Sequence, residues 1–416
     1  MPPRLSHLAQ NLNTETAFTV LAEARALKAK GKDVVELEIG DSPFPSTNHA
    51  KLAGMEAIAR NITGYCPSLG LPELREAAAA MMGREFGVKV GPENIVVASG
   101  AKPFETYFAE VFLEPGDGVL IFSPHFPTYT PNLDRRGVRA VFAPLKHENH
   151  FRPTAKDVEN FLATDPKPRA IFLNFPHNPT GGVAEAEDLK AIADLVRGTD
   201  TLVFSDEPYC HMIWEGRHET ILSQPGMLEQ TLAAYTFSKS YSMSGWRIGF
   251  AVAHPDVVTA IGKLINTSMS CSPPFVQLAA AAALKHDQTQ RDNYMELFRR
   301  KVHLLSDGLA RIPGVHVQRP KGTFYVFPEV SEICNRLGIT SHGLALYTLK
   351  GADDHFGVAC LGGECFGDAG QGFLRFSCAE PDDRIEQALE FLPEAFSRVD
   401  RVNQFLNENP QFRLKA

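Results

Sequence analysis

With 416 residues, the chain exceeds the ~100–200 residues of one domain, so two or three folding units are expected. Hydrophobic residues make up 44% and charged residues 22%, which excludes global disorder and a small disulfide-stapled module. The net charge is −8 and no long run concentrates one sign, so nucleic acid is a poor partner.

In chain order, Met1 to Ala17 lacks the basic end and apolar stretch of a secretion signal. No apolar run approaches the ~18 residues of a membrane span, and the chain reads as cytoplasmic. Val20, Ala24 and Leu27 recur at helical spacing before Gly31; Val35, Leu37 and Ile39 then alternate with Glu36 and Glu38 as in a half-buried strand. Leu74, Ala78, Met81 and Phe86 predict a second helix, with Pro72 in its first turn and Gly87 at its end. Short apolar runs follow at 95–98, 119–122, 170–174, 202–204, 232–237 and 248–253, with helical stretches such as 184–197 between several of them. That rhythm predicts an α/β fold with a mostly parallel sheet covered by helices on both faces. From about 293 a long helix runs through Leu309, strands fall near 323–326 and 373–376, and a last helix carries Ile385, Leu389 and Leu392 on one side. This stretch reads as a smaller α+β domain. The seven cysteines (Cys66, Cys210, Cys271, Cys334, Cys360, Cys365, Cys378) form no Cys-x-x-Cys pair and read as free thiols of a reducing compartment.

No Gly-x-Gly-x-x-Gly opens a helix, and neither Gly-x4-Gly-Lys-Ser/Thr nor Gly-x-Ser-x-Gly occurs. His147-Glu148-Asn149-His150 has a helical metal-pair spacing, but it follows Pro144 without a third partner and reads as a solvated loop. The informative segment is Thr236-Phe237-Ser238-Lys239-Ser240-Tyr241-Ser242-Met243-Ser244-Gly245-Trp246-Arg247-Ile248-Gly249. An amine that attacks a carbonyl must be neutral part of the time, which burial and nearby positive charge bring about. Arg247 offers that charge and a planar grip for a phosphate. Alone, a Lys and an Arg flanking a turn more often describe a solvated loop. Three further segments alter the balance. Ser99-Gly100-Ala101-Lys102-Pro103 is a tight turn after a strand with Pro at a first helical position, where free amides face an anion. Asn174-Phe175-Pro176-His177-Asn178-Pro179-Thr180-Gly181-Gly182 and Ser205-Asp206-Glu207-Pro208-Tyr209 follow the next strands, at the ends where parallel sheets bind ligands.

With Tyr65-Cys66-Pro67-Ser68-Leu69-Gly70, Leu74-Arg75 and Phe373-Leu374-Arg375-Phe376-Ser377, these segments resemble, in order and over nearly the whole chain, the pyridoxal-phosphate-dependent aminotransferases of fold type I, class I/II. The resemblance implies a large domain at 46–288 with a seven-stranded type of sheet. It also implies an N-terminal arm at 1–45 that joins a small C-terminal domain at 289–416. The implied cofactor is pyridoxal 5′-phosphate, held by Lys239 as a Schiff base, with the same amine moving a proton between Cα and C4′. Asp206 matches the carboxylate paired with the pyridine nitrogen, Asn178 and Tyr209 the residues bonded to the phenolic oxygen, and Phe126 the aromatic stacked on the ring. Phosphate is implied to sit on Arg247, the backbone of Gly100, Ala101 and Lys102, Thr236 and Ser238, and on Tyr65 reaching across from a second subunit, so a homodimer is the expected minimum. Arg375 matches the arginine that clamps the substrate α-carboxylate, Gly40 the glycine whose backbone meets that same carboxylate, and Asn178 is implied to bind substrate with them. Core packing remains an alternative for Phe126, a turn glycine for Gly40, a self-satisfied tyrosine for Tyr209 and a structural contact for Ser238.

Thr236 stands where the family usually has Ser, which keeps the hydroxyl. The segment 266–274 carries no arginine, so dicarboxylate selectivity by the device of one aspartate-aminotransferase subgroup is not expected. The function implied is a ping-pong transaminase acting on an L-amino acid and a 2-oxo acid, 2-oxoglutarate by family habit. Two alternatives stay open: a lyase or synthase on the same fold, and a non-catalytic regulator that senses the cofactor. The charge of −8 and the little chain left for a DNA-reading module weigh against the regulator.

Overall fold

The computed structural model describes residues 3–12 and 15–414. Twelve strands occur in them: β1 (Asp33–Glu36), β2 (Ile95–Ala98), β3 (Gly118–Ser123), β4 (Arg139–Pro144), β5 (Pro168–Asn174), β6 (Leu202–Asp206), β7 (Thr231–Thr236), β8 (Gly249–Val252), β9 (Tyr325–Val326), β10 (Phe356–Ala359), β11 (Leu361–Gly362) and β12 (Leu374–Ser377). Seven of them form one sheet in the order β2-β8-β7-β6-β5-β3-β4. All its pairings are parallel except the two made by β8. The strands β2 and β3 are buried along their whole length, because helices cover both faces, and this is why they read as unbroken apolar runs. The predicted α/β architecture is therefore found.

Local chemistry explains the elements that carry the site. Pro72 occupies the first turn of the helix Pro72–Phe86, where its missing N–H is no loss, and Gly87 caps the end at φ 70°. Pro103 does the same for Pro103–Phe112. Beneath β5 and β6, Phe108, Phe172 and Phe204 meet with ring centroids 4.9–5.4 Å apart. Each such buried ring contributes about 1.5–3 kcal/mol, which makes the strand ends above them a rigid platform.

Two small sheets lie outside the large one. β1 pairs in parallel with β10, so the start of the chain is joined to a strand more than 300 residues later. The sheet β11-β12-β9 is antiparallel. The strand predicted across 35–39 leaves its ladder after Glu36. Leu37 still donates to the Ala359 carbonyl, while its own carbonyl accepts from Ser377, so this residue bridges the two small sheets. Among the described residues no helix is long and apolar enough to cross a membrane.

Candidate active site

The C-terminal ends of β5, β6 and β7 place Asn174, Asp206 and Thr236 side by side, with Asn174 in register with Asp206. A cavity of about 500 Å³ opens above them and is lined by residues of the large sheet, of the small antiparallel sheet and of the segment 39–41 that follows β1. Twelve of the fourteen predicted site residues are in its wall: Gly40, Ala101, Lys102, Phe126, Asn178, Asp206, Tyr209, Thr236, Ser238, Lys239, Arg247 and Arg375.

Lys239 follows β7 in a turn and is half-buried; its Nζ donates to the Gly40 carbonyl at 2.6 Å and lies 5.7 Å from the Tyr209 ring centroid. Asp206 is buried. Its carboxylate accepts from the Tyr129 hydroxyl at 2.7 Å and from Asn174 Nδ2 at 3.4 Å. Burial pushes its carboxyl up to about 7, although the Tyr129 hydrogen bond pulls the other way. The Tyr209 hydroxyl lies 3.2 Å from that of Tyr325, and burial raises its phenol well above the ordinary range.

At one end of the cavity the donors suit a phosphate. Arg247, in the left-handed region at φ 54°, donates to the carbonyls of Ser244 (2.8 Å) and Ser99 (3.1 Å). The Thr236 hydroxyl donates to Ser238 Oγ at 2.9 Å, so both hydroxyls sit together. Phe104 and Glu105 bond back to the carbonyls of Ala101 and Lys102. The amides of Ala101 and Lys102 thus belong to a helix start, where no intrahelical acceptor exists. Gly100 is outside the cavity wall but packs under the guanidinium: a methyl there would stand 2.9 Å from Arg247 Nη2, at φ 103°.

At the other end lies Arg375, buried on β12. It donates to Asn178 Oδ1 at 3.0 Å and to the Glu38 carbonyl, and its guanidinium covers the Tyr325 ring at 4.2 Å and the Phe366 ring at 4.9 Å. Its Nε has no partner among the described residues, and neither do the two carboxyl oxygens of the buried Glu38. Burial pushes the Glu38 carboxyl up to about 7. Tyr65, unlike Gly100, is remote from this wall as well as absent from it: it is 92% exposed.

A profile of the family described as Aminotransferase class I and II matches residues 32–392. The chain belongs to the class I and II aminotransferases. It is 34% identical over 363 residues to the aspartate aminotransferase of Pyrococcus abyssi, a match covering 86% of this chain and 90% of that protein. It is 33% identical over 400 residues to a probable aspartate/prephenate aminotransferase of Aquifex aeolicus, covering 95% and 98%. The solved structure of Thermus thermophilus aspartate aminotransferase with maleate superposes with a TM-score of 0.86 at 31% identity, over 95% of this chain and all of that one.

Aminotransferases of this type use pyridoxal phosphate, and the residues present fit it. The anion cradle, the buried carboxyl of Asp206 and the amine of Lys239 face a common space of adequate size. Membership of this family implies small-molecule amino acid and keto acid substrates. Several residues in or behind the wall have no individual mark in the sequence. Tyr129, which holds Asp206, stands one helical turn after Phe126. Tyr325, under Arg375, sits in a two-residue strand after Thr323 at φ 61°. Glu15 and Phe18 come from the helix Thr16–Ala29 and the residue before it; Glu15 pairs with Lys102 at 2.8 Å across the mouth. Glu105 is a buried acid in a first helical turn.

Proposed function

We propose that this aminotransferase moves the α-amino group of an L-amino acid to a 2-oxo acid, 2-oxoglutarate by the habit of the family, in two half-reactions of ping-pong form. The reading is carried by one observation: Lys239, Asp206 and Arg375, an amine, a buried carboxyl and a buried guanidinium, face the same cavity. Pyridoxal phosphate, when bound, supplies an aldehyde carbon that takes up the amino group and a ring that draws off the electrons left at Cα. Arg247, the hydroxyls of Thr236 and Ser238 and the amides of Ala101 and Lys102 would hold its phosphate, with Gly100 allowing the close approach. Phe126 would cover one face of the ring. Asp206 would stand against the ring nitrogen; at ~3 Å and an effective dielectric near 20 that attraction is roughly 5 kcal/mol before desolvation. Asn178 and Tyr209 would hold the phenolic oxygen.

In this reading Lys239 anchors the coenzyme between turnovers. When not joined to the coenzyme, its Nζ would take the proton from Cα and return it at C4′. The Gly40 carbonyl, 2.6 Å from Nζ, keeps the amine aimed into the site in the meantime. Arg375 takes the substrate carboxylate in its fork, sharing it with Asn178 and the Gly40 backbone, and the unpartnered Nε leaves donor capacity for that purpose. Phe18 and Ile39 offer apolar wall around the mouth.

A homodimer is part of the proposal. The helix Asn48–Ala59 shows Leu52, Met55 and Ile58 to the outside, and exposed Tyr65 follows it, an apolar surface suited to a second copy whose own Tyr65 reaches this phosphate. The β1–β10 pairing supports a small domain formed from 1–45 and 289–416 around the large domain at 46–288. The free state of all seven cysteines supports a cytoplasmic location. The deciding experiment is a half-reaction. Given an amino donor alone, a transaminase releases one equivalent of 2-oxo acid per site and stops until an acceptor is added. Continued release without an acceptor would identify a lyase on the same fold instead.

A further inference from the structure

The short helix Tyr129–Asp134 and the residue before it grip two different carboxyl groups. Tyr129 donates to Asp206 Oδ2 at 2.7 Å. Thr128 Oγ1 donates to Glu105 Oε2 at 2.6 Å, and Asn132 Nδ2 donates to the same oxygen at 2.9 Å. Asn132 is itself fixed by the Thr106 hydroxyl on its Oδ1 at 2.8 Å and by a bond from its amide to the Thr128 carbonyl at 2.9 Å. Glu105 is 2% exposed, yet it lines the same cavity as Asp206. Apolar side chains would fill that place in a helix wall without desolvating a carboxyl. The acid is instead supplied with two neutral donors and with the positive end of the helix Pro103–Phe112, in whose first turn it sits. Such surroundings are built for an anion.

The charges around the pair do not balance while the cavity holds no cation. The groups that face the two carboxyls are Lys102, whose charge acts on both, Lys239 on the Asp206 side, the phenol of Tyr129 between them and the carboxyl of Glu207 behind Asp206. Lys102 is shared with Glu15 at the mouth, and Lys239 leans on a carbonyl. Both carboxyls are accordingly raised by burial and Glu105 further by Asp206, to about 8 for Glu105 and about 7 for Asp206. A protonated ring beside Asp206 adds the missing positive charge.

We propose that Glu105 is a positioning acid of the coenzyme site. With Asp206 it makes a two-carboxyl floor that keeps a proton while the site is empty and gives it to solvent when a cationic ring is bound. The inference rests on the Asp206 assignment above. Glu105 acts through charge: once ionised, it strengthens the field that holds the ring protonated, and no bond other than its own O–H is broken.

The test is calorimetry of pyridoxal phosphate binding to the coenzyme-free protein at pH 7, run in two buffers of different ionisation enthalpy so that the protons released are counted. Wild-type protein is expected to release close to one proton more than Glu105→Gln, whose amide keeps an oxygen for Thr128 and Asn132. The ratio of the two dissociation constants is expected to change by up to about tenfold per pH unit between pH 6 and 8, in the direction that favours wild type at the higher pH. Equal proton counts, or a ratio independent of pH, would overturn the proposal. If Glu105→Gln does not fold, Thr128→Val serves: losing one donor, Glu105 holds its proton more firmly, and the pH range over which affinity rises moves upward; an unmoved range overturns the proposal. An Asp206→Asn arm separates the two assignments. Unchanged coenzyme affinity there would remove the Asp206 reading and Glu105 with it, whereas weakened affinity there with equal proton counts for Glu105→Gln removes Glu105 alone.

Discussion

Gly40→Ala is a small change with a calculable effect. An added methyl would overlap the Tyr325 hydroxyl and stand 2.8 Å from its Cζ, so the ring must move. Two contacts go with it: the hydroxyl approach to Tyr209 at 3.2 Å and the ring face beneath Arg375 at 4.2 Å. A lost hydrogen bond costs about 0.5–1.5 kcal/mol and a lost cation–π contact about 0.5–2 kcal/mol. Overpacking a filled site adds strain of about 1–3 kcal/mol, part of which the motion of the ring relieves. A net loss of about 1.5–3 kcal/mol in transition-state binding is expected, roughly 10- to 150-fold in kcat/KM for the amino donor. The assay is the donor half-reaction under single-turnover conditions, with coenzyme affinity measured beside it and expected to change little. Tyr325→Phe in the Gly40→Ala background removes the overlapping oxygen and should recover part of the loss, so the two substitutions are expected to be less than additive. Wild-type rates for Gly40→Ala, or strictly additive losses, would refute the placement of Tyr325 between Gly40 and Arg375.

Arg375→Lys keeps a charge but loses the planar fork; kcat/KM for amino donors should fall at least ~10²-fold with unchanged coenzyme binding, read by steady-state kinetics and equilibrium dialysis. Asp206→Asn should weaken the coenzyme and slow Cα proton removal by ~10²-fold or more, visible as a smaller deuterium washout from Cα-labelled donor. In the coenzyme-free protein, the carboxyls of Asp206 and Glu38 hold protons up to about pH 7 that unfolded carboxyls lose near pH 4. The native state therefore binds more protons over that window, and its stability falls as pH rises from ~4 to ~7. His125 and His177 act oppositely: burial lowers them to about 4 and about 3, so their contribution is lost as pH falls below the ordinary imidazole range. The melting temperature of coenzyme-free Glu38→Gln should accordingly decline less between pH 5 and pH 8 than that of wild type; parallel curves would contradict the buried, unpartnered state of Glu38. Met55→Glu, placing a charge in the exposed apolar stripe, should shift sedimentation from dimer toward monomer and lower coenzyme affinity.

Much of the large sheet was legible because its strands are buried on both faces, and an unbroken run such as 95–98 has few other uses. β4 escaped notice: as the edge strand it is half exposed and mixes Arg139 and Pro144 with Val141 and Phe142. β10 escaped too, since Phe-Gly-Val-Ala carries little strand propensity and is held by its partner β1 across more than 300 residues, a pairing that no local pattern reveals. At the site, the residues in recognisable segments were legible: Asp206 at a strand end, Asn178 and Lys239 just after one, and Arg375 within its own strand. Their supports were not. Glu105 in a first helical turn reads like any acid complementing a helix dipole, and only the packing of Thr128 and Asn132 shows that it is buried. Tyr325 needed the left-handed turn at Thr323 to bring it under Arg375, and Glu15 needed the helix Thr16–Ala29 to start at the cavity mouth. Tyr65 is a residue whose implied role belongs to a neighbouring copy, and a single chain leaves it in solvent.

The central claim is that Lys239 carries the coenzyme. Purified holoprotein reduced with sodium borohydride, digested and mapped by mass spectrometry is expected to show the phosphopyridoxyl group on the peptide containing Lys239 and on no other. A label on Lys102 or another lysine, or reduced protein from which all the coenzyme dialyses away, would contradict it.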